Sequence, residues 1–156
     1  MGDVSLTSEN NGIRVGVLTG VALIIYTGLA AVAGFLGKIE AGSLDVAILL
    51  AGTVYAIARL KKAKGERLGY LEGFGTGIIA AMVASVMLGV FFFVLGIVLP
   101  DSMADLRARS LFGIDWSMMI ALLAIVLLGT MAGVITSLVA MQYFKSSDHK
   151  PMASLD

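Results

Sequence analysis

One carboxylate could do chemistry, because it begins an otherwise uncharged apolar segment. Glu72 directly precedes Gly73, and residues 73–100 contain no Asp, Glu, Lys or Arg. An ionisable side chain in a membrane span is a candidate proton or cation site. The same carboxylate is also explained as a first-turn acid stabilised by a helix N-terminus, or as a partner for Arg14 or Arg67. Both interpretations of Glu72 are open from sequence.

Other kinds of chemistry lack the residues that they need. The chain has no Cys, and its single His, His149, lies near the C-terminus. Thiol catalysis, Cys-ligated metal sites and histidine ligation inside a span are therefore excluded. No Ser–His–Asp set, carboxylate pair or phosphate-binding loop is present. We expect a protein that is not an enzyme and that holds no cofactor or metal. The 11 basic and 11 acidic residues balance, which predicts no nucleic-acid partner.

The composition predicts an all-α integral membrane protein. Of 156 residues, 58% are hydrophobic and 14% are charged, with a mean hydropathy of +0.96. Soluble domains average about 25% charged residues, and a chain of this length has too little interior for so many apolar side chains. A membrane helix needs about 20 mostly apolar residues. The gaps between charges predict four spans, at about 15–37, 44–60, 73–99 and 117–142.

The second span is shorter than the others. Only residues 46–58 separate Asp45 from Arg59, which suggests either a re-entrant segment or a full span with charged ends. Arg59 has a long stem that reaches the interface, and Asp45 suits the first turn of a helix that begins near Ser43. We favour the full span over residues 44–60.

Four spans place both termini and the 59–72 loop on one side of the membrane. That side carries eight of the 11 basic residues, and the other side carries Lys38, Arg107 and Arg109. The positive-inside rule then predicts that both termini are cytoplasmic. The expected organisation is a polar N-terminal tail (1–11), a four-span domain (12–145) and a polar C-terminal tail (146–156).

Two loops offer contacts with the membrane surface. The loop after span three, residues 101–115, combines Met103, Leu106 and Arg107 in a pattern that predicts a short amphipathic surface helix. The loop after span two carries a basic cluster that could bind anionic lipid headgroups, or that simply sets topology. The residues of the basic cluster are Arg59, Lys61, Lys62, Lys64 and Arg67.

Small residues recur at every fourth position in three spans. Positions i and i+4 share a helix face, and small residues there let two membrane helices approach closely. These ladders predict tight packing within the bundle and, in addition, faces for other subunits. Their members are Gly12, Gly16 and Gly20 in span one; Gly69, Gly73, Gly77, Ala81, Ser85 and Gly89 in span three; and Gly129, Gly133 and Ser137 in span four.

The stretch around Glu72 resembles a family of small four-span bacterial membrane proteins classed as a domain of unknown function. The similarity lies in a basic cluster followed by an aromatic residue, an acid–small–aromatic triplet and a later glycine, here Tyr70, Glu72, Gly73, Phe74 and Gly77. The resemblance implies a four-helix bundle in a bacterial cytoplasmic (inner) membrane. It implies no activity.

These observations lead to one functional hypothesis and an alternative, with a lipid-binding or membrane-shaping role as a third possibility that rests on the basic loop and the predicted surface helix. The chain is expected to be a structural or accessory subunit that packs through small-residue helix faces into a homo-oligomer or a larger membrane complex. Its expected partners are membrane lipids and other membrane subunits. The alternative is a small oligomeric transporter or channel with Glu72 at its cytoplasmic mouth.

Overall fold

The structure, a computed structural model, describes residues 7–34, 39–65, 68–98 and 116–144, which form four α-helices and no strand. Helix α1 spans Ser8–Val32, α2 Ile39–Lys64, α3 Tyr70–Val98 and α4 Trp116–Phe144. The helices contain 25, 26, 29 and 29 residues, or about 38–44 Å each. All four are long and apolar enough to cross a membrane. The predicted all-α bundle of four spans is confirmed at this level, and the chain is a multi-pass membrane protein.

Helix α2 is longer than the charge pattern suggests. It begins at Ile39 and continues unbroken to Lys64, so it has the length of a full span. Asp45 therefore lies in the second turn of α2, and its predicted place in the first turn is wrong. No proline interrupts residues 39–44, so the helix extends back beyond the charged residue. Lysines in the last turn of α2 suit the negative end of the helix dipole.

Helix α1 also begins earlier than expected. Thr7 caps the helix, because its side-chain oxygen accepts a hydrogen bond from the Asn10 backbone N–H at 3.2 Å. Residues 8–11, predicted to belong to a polar tail, are helical, and Asn11 is fully buried. At the other end, Gly34 adopts φ 73° just after the helix, a left-handed conformation that glycine adopts without steric cost.

Helix α3 lies at the centre of the bundle. Helix α1 packs along one face of α3 in parallel, α4 packs along a second face in the antiparallel direction, and α2 contacts all three. The buried residues of α3 are small, and most of them are Gly, Ala, Ser or Thr. By contrast, Gly133 is the only buried residue between Met119 and Thr136 of α4. The outer face of α4 is therefore apolar surface of the kind that lipid covers.

Several sequence predictions concern residues outside the described ranges. These are the amphipathic surface helix in residues 101–115, the tail at 146–156, the first six residues, and Arg67.

Candidate functional site

The ladder in α1 lies against α3. Glycine is required there because a Cβ atom at Gly12 would lie 3.0 Å from the Thr76 carbonyl oxygen, and one at Gly16 would lie 2.8 Å from the Ala80 carbonyl oxygen. These neighbours are backbone atoms, so they cannot move aside cheaply. Gly20 continues the contact against Met87. The two helices approach each other closely along about three turns.

The ladders in α3 and α4 lie against each other. Because these helices are antiparallel, the number of the contacting residue falls by four on α4 for each rise of four on α3. Gly73 packs against Met141 and Gly89 against Leu122 at the two ends of the contact. Between them the pairs are Gly77 with Ser137, Ala81 with Gly133, and Ser85 with Gly129.

The structure thus places the ladders between helices of the same chain. Gly69 differs from the other members, because it is exposed and precedes α3. Since the remaining ladder residues lie against neighbouring helices of the same chain, they are not available to a second subunit while the bundle is intact. A surface for a partner has to be sought on other faces.

Glu72 forms an ion pair at the end of the bundle where α2 finishes and α3 starts. Lys64 Nζ lies 3.0 Å from Glu72 Oε1 and 2.9 Å from Oε2. The side chains of Lys64 and Glu72 are 28% and 44% exposed, so the pair contributes little to stability. The sequence pointed to Arg14 or Arg67 as partners; Arg67 lies outside the described residues, and within them the partner is Lys64. The segment Gly73–Gly77 beside it is helical.

A hydroxyl pair joins the starts of α1 and α3 next to this ion pair. The Ser8 hydroxyl donates to the Glu72 carbonyl oxygen at 2.6 Å, and Ser8 Oγ lies 2.6 Å from Thr76 Oγ1. Further in, Asn11 Nδ2 donates to the Ala56 carbonyl oxygen of α2 at 2.8 Å. Asn11 Oδ1 is buried and has no hydrogen-bond partner among the described residues. Three helices therefore meet through polar groups at this end.

The basic cluster divides into two groups. Lys61 donates to the Phe144 carbonyl oxygen at the end of α4, and its Nζ lies 5.4 Å from the Phe144 ring centroid. Lys64 pairs with Glu72. Arg59 is half-buried and Lys62 is exposed, and within the described ranges neither forms a hydrogen bond or ion pair. Only part of the predicted headgroup site is thus free to contact a lipid.

Polar side chains also recur along the contact between α1 and α2. Thr19 and Thr53 are buried, and each hydroxyl donates to its own helix, to the Val15 and Leu49 carbonyl oxygens at 2.9 Å. Near the far end, the Thr27 hydroxyl donates to Asp45 Oδ1 at 3.2 Å. The polar groups are therefore spread over the length of both helices.

Apolar layers separate these polar levels. Val15 packs with Ala56 and Ala80 between the Asn11 and Thr19 levels. Leu23 packs with Leu49 and neighbouring residues of α3 between the Thr19 and Thr27 levels. Val15 and Leu23 are each 1% exposed. In the described conformation, close-packed side chains interrupt the polar line twice.

The line of polar residues along α1 and α2 was not predicted from the sequence. Ser8, Asn11, Thr19 and Thr27 recur at intervals of three, eight and eight residues, which keeps them within about half of the helix circumference. The spacing is visible in the sequence, but residues 1–11 were assigned to a tail, which left Ser8 and Asn11 out of the pattern.

Neither a metal-binding site in the described residues nor a similarity to a known protein identifies an activity for this chain. Among the residues that the structure describes, no group of three His, Cys, Asp or Glu side chains is placed to hold a metal ion. Comparison with protein-family models, with curated proteins and with solved structures finds no match. The resemblance to a family of four-span bacterial membrane proteins therefore stays a prediction.

Proposed function

We propose that this chain is a non-enzymatic membrane subunit, structural or accessory, in a homo-oligomer or a larger membrane complex. The proposal is supported by the way in which the bundle uses its polar groups. Glu72 is paired with Lys64, and the Thr19 and Thr53 hydroxyls bond to their own helices. The ion pair joins α2 to α3 and the two hydroxyls are satisfied within their own helices, so these groups are used inside the bundle, which is compatible with a role in assembly.

The bacterial inner membrane, with both termini cytoplasmic, is the location that we propose for the bundle. The support is the distribution of basic residues, since Arg59, Lys61, Lys62 and Lys64 cluster at one end of α2. Lysine and arginine in short loops remain on the cytoplasmic side. That end of the bundle also contains the start of α1, where Ser8 contacts Glu72.

One observation supports a particular face of α2 as the assembly surface. Ala47 and Ala51 on α2 are exposed, one turn apart, on the outside of the bundle. Elsewhere in the chain, small residues at this spacing lie between helices, where they permit close approach. An exposed alanine pair on a membrane helix offers a second helix the same close approach. We propose that the Ala47–Ala51 face is the assembly surface.

Cysteine cross-linking tests this surface, because the natural chain contains no cysteine. Ala47→Cys and Ala51→Cys are expected to give disulfide-linked dimers when native membranes are oxidised, since a disulfide needs Cα atoms within about 7 Å. Leu18→Cys on α1 and Leu128→Cys on α4 are matched controls, 63% and 69% exposed on other faces. They are expected to stay monomeric.

Native purification covers the case in which the partner is a different protein. The chain extracted in mild detergent is then expected to elute with a fixed companion, and Ala51→Leu is expected to release it. A single monodisperse chain, without dimers from either cysteine on α2, would contradict the subunit proposal.

A second candidate, a small oligomeric transporter with Glu72 at the cytoplasmic mouth, is favoured by the polar groups on α1 and by the unpartnered Asn11 Oδ1. The Val15 and Leu23 layers oppose it, because both are closed by packed side chains. Proton and cation flux into liposomes, measured for the natural chain and for Glu72→Gln, separates the two functions. We expect no flux in either, and a flux that Glu72→Gln abolishes would favour the transporter.

A further inference from the structure

The cytoplasmic half of α2 carries three polar side chains on its outward face. Tyr55, Arg59 and Lys62 follow one another at intervals of four and three residues, which places them on one side of a helix. Tyr55 is 54% exposed, Lys62 is exposed and Arg59 is half-buried. Among the described residues, none of the three has a hydrogen-bond or ion-pair partner. Their polar groups are therefore available to a molecule outside the described bundle.

The intramolecular contacts of the other bases leave two positive charges on this face. Lys61 binds the end of α4 and Lys64 binds Glu72. Among the described members of the basic cluster, Arg59 and Lys62 are therefore the ones free to bind an external anion. Two bases at one membrane surface attract an anionic group, and each base contributes about 1 kcal/mol of binding free energy.

Tyr55 extends this face into the membrane. Its Cα lies seven residues from that of Lys62, or about 10 Å along the helix. Helical side chains tilt towards the N-terminus, which here directs the phenol further from the basic end and towards hydrocarbon. A hydroxyl without a partner in hydrocarbon is costly, so an occupant of this face has to provide an acceptor at that depth.

A single kind of molecule satisfies both requirements. A phospholipid carries an anionic phosphate at headgroup level and ester carbonyl oxygens below it, followed by acyl chains. Ala58, which lies one turn from Tyr55 on the side of the basic residues, is small and leaves room for the lipid beside the phenol. A soluble phosphate would satisfy the two bases and leave the phenol without an acceptor.

We propose that Tyr55, Arg59 and Lys62 form a binding site for an anionic phospholipid of the cytoplasmic leaflet. Arg59 and Lys62 bind the phosphate, and the Tyr55 hydroxyl donates to an ester carbonyl oxygen. The site does not depend on association of chains. If two copies do meet at Ala51, an anionic headgroup between them would also offset the repulsion between their basic residues.

Equilibrium binding to the full chain in mild detergent tests the site. Native mass spectrometry would compare phosphatidylglycerol with phosphatidylcholine that has identical acyl chains. The natural chain is expected to bind phosphatidylglycerol about tenfold or more tightly, as two bases at about 1 kcal/mol each allow. The double variant Arg59→Gln/Lys62→Gln is expected to lose this preference, and Tyr55→Phe is expected to weaken phosphatidylglycerol binding several-fold.

Arg14→Gln is the matched control. Arg14 is an exposed base near the same end of the bundle, on α1, and its loss is expected to leave the preference intact. Equal loss in Arg14→Gln would indicate general attraction to the membrane surface and overturn the proposal. So would a full preference in the double variant. Circular dichroism of each variant checks the fold, and cross-linking at Ala51 reports separately on assembly.

Discussion

The contact between α3 and α4 and the contact between α1 and α2 hold the same bundle together by different means. The first joins small residues, such as Gly77, Gly133 and Ser137, at very short range, and the buried Ser85 and Ser137 hydroxyls have no hydrogen-bond partner among the described residues. The second also packs Gly52 closely against Thr19, but it adds hydrogen bonds between helices, from Asn11 to Ala56 and from Thr27 to Asp45.

The difference shows what each contact can tolerate. In lipid, helices are not driven together by exclusion of water, so close packing or hydrogen bonding has to supply the attraction. A contact made by packing depends on volume and is insensitive to the loss of a hydroxyl. A contact made by hydrogen bonds depends on particular polar atoms. Three substitutions test this distinction.

The largest effect is expected from added volume between α3 and α4. Gly133→Leu places a side chain where even a Cβ atom would collide with Ala81. We expect the free energy of unfolding to fall by about 3 kcal/mol, measured by SDS titration of the chain in mild detergent. Ala121→Leu, at an exposed position of α4, is the control and should cost much less. A Gly133→Leu chain with natural stability would contradict the packing described for this contact.

An intermediate effect is expected where a polar atom joins two helices. Asn11→Ala removes the hydrogen bond to the Ala56 carbonyl oxygen. Interhelical hydrogen bonds in membranes average about 0.6 kcal/mol, and lost packing adds to this value. We therefore expect a loss of about 1 kcal/mol in the same titration. Asn10→Ala provides the neighbouring control, because Asn10 is less buried. An equal loss in both variants would show that the hydrogen bond is not the cause.

The smallest effect is expected from removal of a hydroxyl in the packed contact. Ser137 Oγ is buried and makes no hydrogen bond, so Ser137→Ala removes a polar atom that has no partner. The stability should stay within about 0.5 kcal/mol of the natural value, or rise slightly. A clear loss in the SDS titration would mean that this hydroxyl forms a contact with α3, and the two regions would then be less different than proposed.

Much of the bundle could be predicted from composition and charge spacing. Long uncharged stretches require helices in lipid, because every backbone N–H and C=O must be satisfied within the segment. The four-residue spacing of Gly12, Gly16 and Gly20 likewise predicts a face for close approach. The starts of α1 and α2 were placed too late, since charged and polar residues outside the apolar stretch were assigned to tails and loops. Local capping by Thr7 extends α1 beyond that stretch.

The residues that the ladders and Glu72 contact could be identified only from the folded chain. The spacing of the ladders does not distinguish a neighbouring helix from a second subunit, because both need the same small residues. In the same way, Glu72 had several basic residues within reach along the sequence. Lys64 is its partner because the end of α2 and the start of α3 lie together.

Apolar length, charge balance and the spacing of small residues are local properties of the chain. They were sufficient to establish a membrane protein of four helices with close helix contacts, because the membrane constrains each helix separately. Three features depend on which helix faces become neighbours: the pairing of the ladders, the apolar layers at Val15 and Leu23, and the outward face of Tyr55, Arg59 and Lys62. They arise only when α1, α2 and α4 pack around α3, since long-range contacts determine which small or polar residues are buried and which face lipid.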